Sequence, residues 1–341
     1  MRLAAAALLA ASAAAAGEFV DPLDRPAQGS PLAQRRPLVG VAAAGGRLVA
    51  VGQRGHVLVS DDGGRSWAPS PAPVSTDLNA VAFPSPDRGW AVGHDGVVLA
   101  TADAGRSWSK QLDGRQVGAL LLGHHAGRGG ADGTLRQVRA LAAQGADQPL
   151  LDVWFEDERT GFAVGAFNLV LRTEDGGRSW APWLHRTENP RGLHLYAIRR
   201  VAGDLWIAGE QGLVLRLDAA GRRFRAVPVP YRGSFFGVAG SGRTVIAYGL
   251  RGTALRSRDR GATWQRVDTG VEVALTGAAS MPDGRIALVA QSGQVLVSSD
   301  DGESFQPAGR GGSPASSAAA AGAGTLVIVG AAGVRVEPLR P

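Results

Sequence analysis

The stretch LNAVAFPSPDRGWAVGHDGVVLATADAGRSWSKQL, Leu78 to Leu112, decides how the rest of the chain is read. It opens on an alternating apolar segment, turns through Pro and Asp, and runs through a short second segment to the turn Gly93-His94-Asp95-Gly96. A third apolar segment leads into an Asp- and Gly-rich turn, after which Trp108 opens a fourth. Alternation bounded by clusters of Gly, Pro, Asp and Ser marks strands joined by tight turns. We call these strands A, B, C and D.

The unit repeats. Its G-x-x-G turn begins at Gly52, Gly93, Gly165 (as GAFN), Gly209, Gly249, Ala290 (as AQSG) and Gly330, at intervals of 41, 72, 44, 40, 41 and 40 residues. Four strands in roughly 40 to 45 residues, a length shared with WD40 and YVTN-like repeats, predict blades packed face to face around a channel. The expected fold is therefore all-β, a seven-bladed β-propeller of four-stranded antiparallel blades. It should form a single domain over residues 17–341, with a small helical insertion at about 113–149 between blades 2 and 3. The seventh unit, Ser316 to Pro341, supplies only A, B and C. The segment at about 30–37 is expected to complete that last blade and cover its edge, although Pro31 and Pro37 fit a strand poorly.

The Asp-rich turn follows the pattern [ST]-x-D-x-G-x-[ST]-[WF], as in SDDGGRSW from Ser60 to Trp67. Its fixed acidic and aromatic positions are Asp62 and Trp67, Asp103 and Trp108, Asp175 and Trp180, Asp259 and Trp264, and Asp300 and Phe305. LDAAGRRF, Leu217 to Phe224, is a degenerate sixth copy. An Asp after a strand accepts backbone N–H bonds, a Gly takes positive φ, and hydroxyls bond free turn groups. The ring buries a large area between blades. Calcium is the rival reading, but one constant Asp per copy lacks the spaced acidic ligands of a calcium loop. The octapeptide is read as structural.

Composition narrows the function. Among 341 residues, 45% are hydrophobic and 19% charged, with 49 Gly and 19 Pro, which describes a globular chain rich in turns. The net charge is +6 and the basic residues are almost all Arg, Lys110 being the one lysine. That charge suits anionic partners such as an acidic protein or a phospholipid headgroup. No Lys/Arg run tracks a phosphate backbone, so nucleic acid is not expected. Arg2, the apolar run Leu3 to Ala11 and Ala14-Ala15-Ala16 read as a signal peptide over residues 1–16. With no Cys there is neither a disulfide framework nor a lipidated cysteine. The mature chain is expected to be periplasmic or secreted, not membrane-spanning, and a monomer.

The octapeptide resembles the Asp-box, or bacterial neuraminidase repeat, of sialidases, other propeller glycosidases and sortilin-like receptors. The whole unit, with W/F-A-V-G-x-x-G-x-[VL]-L-x-[ST]-x-D-G-G-x-S-W, is most similar to the photosystem II stability/assembly factor family, from about Leu38 to Val336. That resemblance implies a seven-bladed propeller on the exported side, in the thylakoid lumen only if the host is photosynthetic. It implies a non-enzymatic assembly or stability factor whose partner is a membrane protein or membrane protein complex. No cofactor and no metal are implied.

Strand alternation sorts the loops. A–B loops and the Asp-rich C–D turns share one face, while the G-x-x-G turns and D–A loops share the other. The second face carries Gln53-Arg54, His94-Asp95, Phe167-Asn168, Glu210-Gln211 and Leu250-Arg251, together with the loops from Leu184 to Leu195 and from Pro228 to Ser234. The insertion, with VGALLLGHH and TLRQVRALAAQ reading as helices, should cap one side of its mouth. The candidate partner-binding residues are Arg54, Arg186, Arg191, Tyr231, Arg232 and Arg251, with Phe236 as a second aromatic anchor.

The sequence admits two other classes. A sialidase-like or glucanase-like glycoside hydrolase needs a carboxylate pair, for which Asp152 and Glu188 are the best candidates, or a Tyr nucleophile from among Tyr196, Tyr231 and Tyr248. The F/Y-R-I-P stretch of sialidases is missing. A metal site would start from His124-His125, which sequence context places in an exposed Gly-rich loop without a partner at metal spacing. No catalytic residues are assigned.

Overall fold

The computed structural model describes residues 19–125, 132–143, 145–218, 220, 222–309, 311–322 and 324–339. The leader at 1–16 lies outside them. Seven antiparallel sheets follow in chain order, each meandering from A to its last strand. Their first strands are Leu38–Ala44, Leu78–Ala82, Leu150–Phe155, Leu195–Val201, Phe235–Ala239, Leu275–Ser280 and Ala315–Ala320. These strands A form the innermost ring, and the last of them neighbours the first, so the sheets close into a seven-bladed propeller.

The core is not central. It consists of apolar layers between consecutive blades, such as Val49 and Val51 of blade 1 with Ala91 and Leu99 of blade 2. Strands B, as in Gly89–Gly93 and Gly161–Gly165, are buried along their whole length because both sheet faces are covered. This is why they read as continuous apolar runs rather than alternating ones.

The Asp-rich turns behave as the sequence predicts. In the first copy Asp62 accepts from Ser60 Oγ (2.9 Å), Ser66 N–H (2.9 Å) and Ser66 Oγ (2.6 Å), while Gly64 N–H donates to Ser60 Oγ (2.9 Å). The same four bonds recur around Asp103, Asp175, Asp259 and Asp300. Each turn also grips the preceding blade. A Cβ on Gly302 (φ 75) of blade 6 would lie 2.6 Å from Ile246 of blade 5. Trp108, Trp180, Trp264 and Phe305 pack into the layer shared with the previous blade, and Trp67 joins blades 7 and 1. The sixth copy keeps that anchor while its Asp is out of register. Leu217 pairs with Phe224 and Asp218 with Arg223 in a plain hairpin, and Phe224 is fully buried between blades 3 and 4.

One expectation needs correction. Six blades have four strands, whereas the seventh has three, ending with Gly333–Pro338. The segment that was to supply its fourth strand reaches the right place, since a Cβ on Gly333 would lie 1.9 Å from the Gln34 carbonyl. It lies there as a short 3-10 turn, Ala33–Arg35, with buried Ala33 in the layer between blades 7 and 1. Pro31 and Pro37 flank this turn and have no N–H to give a ladder, so closure rests on packing.

The insertion holds helices α1 (Gly114–His125) and α2 (Asp132–Ala143). Asp113 starts α1: its side chain accepts from Arg115 N–H (3.1 Å), and Gln116 Oε1 accepts from Asp113 N–H (3.1 Å), a reciprocal cap. Val117, Leu121, Val138 and Leu141 join Leu112, Trp180 and Leu184 in the layer between blades 2 and 3. The hairpin therefore clasps the flank of these blades. None of its described residues lines the central channel, but Gln137 of α2 donates to the Phe167 carbonyl (2.8 Å), so the hairpin also rests against the blade 3 turn on the G-x-x-G face.

Candidate partner-binding face

The first Gly of each G-x-x-G turn explains how this face is built. In all seven blades the residue after it donates its N–H to a carbonyl just before strand A, for example Gln53 to Pro37 (3.2 Å), His94 to Asp77 (2.8 Å), Leu250 to Ser234 (3.0 Å) and Ala331 to Pro314 (3.1 Å). A Cβ at Gly93 would sit 2.0 Å from the Asp77 carbonyl, and one at Gly249 would sit 2.2 Å from that of Ser234. Six of the seven positions hold glycine because the D–A loop presses on the turn; blade 6 keeps the same contact, Gln291 to the Ala274 carbonyl (2.7 Å), with Ala290 there. The contact also joins B–C turns and D–A loops on one face, as strand alternation predicts.

The third residue of the turn is left-handed even where it is not glycine: Arg54 (φ 55), Asp95 (φ 54), Phe167 (φ 51), Gln211 (φ 51) and Arg251 (φ 56). Such a conformation costs on the order of 1 kcal/mol or more for a residue with a Cβ. It lifts these side chains outward, and Arg54 and Arg251 are exposed, as is Phe167.

A second device shapes the mouth. Every strand A carries a register shift at its start, as between Leu195 and Ala197 or Phe235 and Gly237. The extra residue turns into the channel: Asn79 in blade 2, Leu151 in blade 3, Tyr196 in blade 4, Phe236 in blade 5. Bulges of this kind re-aim a side chain. Here they create an aromatic arc. Phe167 packs on His194 with ring centroids 4.5 Å apart, His194 lies 6.3 Å from Tyr196, and Tyr196 meets Phe236 edge-on at 5.4 Å.

The predicted basic residues divide around this arc. Arg191, Arg232 and Arg251 are exposed on blades 4 and 5, and Arg54 is exposed on blade 1. Arg191 bonds Gln211 Oε1, tying the D–A loop to the blade 4 turn. Tyr231 is half-buried, with its hydroxyl donating to the Leu250 carbonyl at 3.1 Å, so it supports the face. Arg186 stands apart: its guanidinium lies 5.1 Å over the Trp183 ring, where the loop runs beside the outer strand of blade 4. Many other arginines are held in ion pairs, among them Arg47 with Asp61, Arg200 with Glu156 and Arg260 with Asp204. Among the described residues no such pair includes Arg54, Arg232 or Arg251. The sequence points to Phe236 but not to the roles of Tyr196, Phe167 and His194, because the arc is assembled from a turn, a D–A loop and two bulges of separate blades.

The carboxylates proposed as a glycosidase pair are not presented together. Asp152 is buried in the channel wall, accepting from Val153 N–H (2.9 Å), Ile198 N–H (2.7 Å) and the Arg199 guanidinium. Glu188 lies beside the outer strand of blade 4, where Arg225 (2.6 Å) and Ala226 N–H (2.9 Å) hold its carboxyl below the usual range. Burial pushes the Tyr248 phenol up to about 12, and burial together with Glu210 raises that of Tyr196. Each phenol keeps its proton at neutral pH.

With the fold and this face established, comparison with known proteins places the chain. The model of the family described as photosynthesis system II assembly factor YCF48 matches residues 43–126 and 137–233. The chain belongs to that family. A curated relative, the photosystem II assembly lipoprotein Ycf48 of Synechococcus sp. (strain CC9902), is 25% identical over 157 residues, covering 45% of this chain and 47% of the relative. That match thus spans about half the length of the relative. Two solved structures share the fold. One, YCF48 bound to D1 peptide, has a TM-score of 0.65 at 14% identity, covering 95% of this chain and 98% of its own. The other, YCF48 from Cyanidioschyzon merolae, has a TM-score of 0.64 at 17% identity, covering 92% and 98%. The resemblance to the photosystem II stability/assembly factor family read from the repeat is therefore confirmed. Among the described residues no helix is long and apolar enough to cross a membrane.

Proposed function

We propose that this YCF48-family propeller is a non-enzymatic exported scaffold that binds a segment of a membrane protein on its G-x-x-G face and assists assembly or stability of a membrane complex. The observation that carries the reading is the aromatic arc Phe167-His194-Tyr196-Phe236 beside the exposed Arg232 and Arg251. Aromatic and Arg side chains with unsatisfied surface are the usual anchors of protein recognition. A chain segment with apolar side chains and acidic groups meets both. The peptide-bound relative supports the partner class, since the similar structure is a propeller with a peptide of D1. The lipoprotein name of the curated relative supports an exported place, periplasmic or, in a photosynthetic host, lumenal. Crosslinked pull-down from envelope membranes tests it. The double variant Arg232→Glu, Arg251→Glu should lose the membrane-protein partner while melting as the parent does; retention of the same partner by a folded double variant overturns the reading.

A further inference from the structure

The histidine pair at the end of α1 does not lie in an exposed loop. Val117, Leu121 and His125 form one buried stripe at helical spacing, and His125 is 6% exposed. His124 is half-buried beside it. The two rings meet a third, His185, from the short turn Leu184–Arg186 that follows blade 3. Ring centroids are 5.1 Å apart for His124 and His125, 5.2 Å for His124 and His185, and 5.5 Å for His125 and His185. One ring nitrogen from each lies within 4.8 Å of the other two.

We propose that His124, His125 and His185 form a binding site for a divalent transition-metal ion, with Zn2+ the best match. A zinc–imidazole bond of about 2.0–2.1 Å in tetrahedral geometry sets nitrogens about 3.3–3.4 Å apart. From separations within 4.8 Å, the three nitrogens have to close by roughly 1.5 Å at most to reach that spacing. Both backbones are already fixed, because Val117 and Leu121 of α1 share an apolar layer with Leu184, the residue before His185. Three imidazoles without a carboxylate select borderline cations over calcium or magnesium. The carbonyl end of α1 adds negative potential at the site. Two guanidiniums oppose it: Arg186 Nε donates to His185 Nε2 at 3.4 Å, a bond that a metal on that nitrogen would displace, and Arg223 donates to the His185 carbonyl at 3.1 Å. Three protein ligands leave a fourth position for water or a partner's side chain. Bound metal would staple the insertion to the flank of blades 3 and 4. The site is separate from the binding face and does not depend on the function proposed for that face.

The test uses the full chain without an affinity tag, stripped with EDTA and titrated with Zn2+ against a chromophoric chelator. One equivalent should bind, and Co2+ in its place should give the intense visible bands of a tetrahedral site. His185→Ala and His124→Gln, both at partly exposed positions, should each weaken Zn2+ binding by about 100-fold or more, with melting of the metal-free protein unchanged. Chymotryptic cleavage in the insertion should slow on adding Zn2+ in the parent and not in His185→Ala. Absence of binding overturns the proposal. So does unchanged affinity in either variant, which would assign the ion to His56, His94 or His194.

Discussion

Asp24 and Arg115 face each other as a two-toothed ion pair, Oδ2 to Nη1 at 2.7 Å and Oδ1 to Nη2 at 2.9 Å. Arg115 also holds Asp113 at 2.6 Å, and Lys110 reaches Asp113 (3.0 Å), Asp24 (3.2 Å) and the Leu23 carbonyl (2.7 Å). One network thus pins the segment before blade 1 to the start of α1, while buried Leu23 packs with Ala72, Val74 and Val97. The sole lysine sits at its centre.

From this network follows a local effect rather than a global one. Asp24 is half-exposed, so its pairs are screened by solvent and salt. Asp24→Ala should speed chymotryptic cleavage between Phe19 and Leu23 and leave the main melting transition where it was. Salt at about 1 M, where the Debye length is about 3 Å, should produce the same cleavage pattern in the parent. Equal cleavage rates in parent and variant at low salt would show that Leu23 alone holds the segment.

Acid stability depends on the octapeptides. Hydrogen bonds from Thr263 and Ser257 hold Asp259 at about 2, and those from Ser304 do the same for Asp300. Asp175 also stands at about 2, its burial being outweighed by bonds from Ser179 and Thr173. An unfolded Asp titrates near 3.9. Folded values below unfolded ones mean the contribution is complete above about pH 5 and is lost as pH falls from about 4 through 2. Urea midpoints measured at pH 6, 4, 3 and 2.5 should therefore fall in the acid range, and Asp259→Asn with Asp300→Asn should flatten that fall.

The fixed glycines offer a steric prediction with its own control. Gly249→Ala would place a Cβ 2.2 Å from the Ser234 carbonyl and 2.7 Å from Phe235 Cα, both backbone atoms. Relief requires the D–A loop to move, which should cost roughly 1–3 kcal/mol. Gly46→Ala meets nothing within 4 Å and should stay within about 0.5 kcal/mol of the parent. Denaturant unfolding of the two variants compares them directly.

Much of this was legible in the sequence because a propeller repeats its instructions locally. Strand order, the Asp-rich turns and the face assignment all follow from one unit of about forty residues, and the pattern of α1 and α2 was visible at helical spacing. What sequence could not provide are contacts between segments that lie apart along the chain. The pressure of the Ser234 carbonyl on Gly249 joins a loop to a turn of the same blade, so the G-x-x-G pattern was visible without its cause. His185 meets His124 only because α1 folds back on blade 3. Tyr196 and Phe236 point into the mouth through bulges that residue alternation hides. Arg186 was placed on the rim by loop membership, yet the loop leaves the face to run beside Phe224.

That fully buried Phe224 leads to the last prediction, which separates the anchor of the octapeptide from its turn. Five copies keep Asp, Gly, hydroxyl and ring together, so their contributions are confounded. The sixth has its Asp out of register with the pattern, and that Asp218 accepts from Ala220 N–H (3.1 Å) and pairs with Arg225 (3.6 Å). Its ring persists at 0% exposure, packed edge-on against Phe162 at 5.5 Å and Trp183 at 6.2 Å. If the ring between blades is the indispensable part, Phe224→Ala should cost about 3–5 kcal/mol, whereas Asp218→Ala should cost less than about 1 kcal/mol. Urea unfolding of the two variants decides, and a near-neutral Phe224→Ala would move the stabilising role from the anchor to the turn.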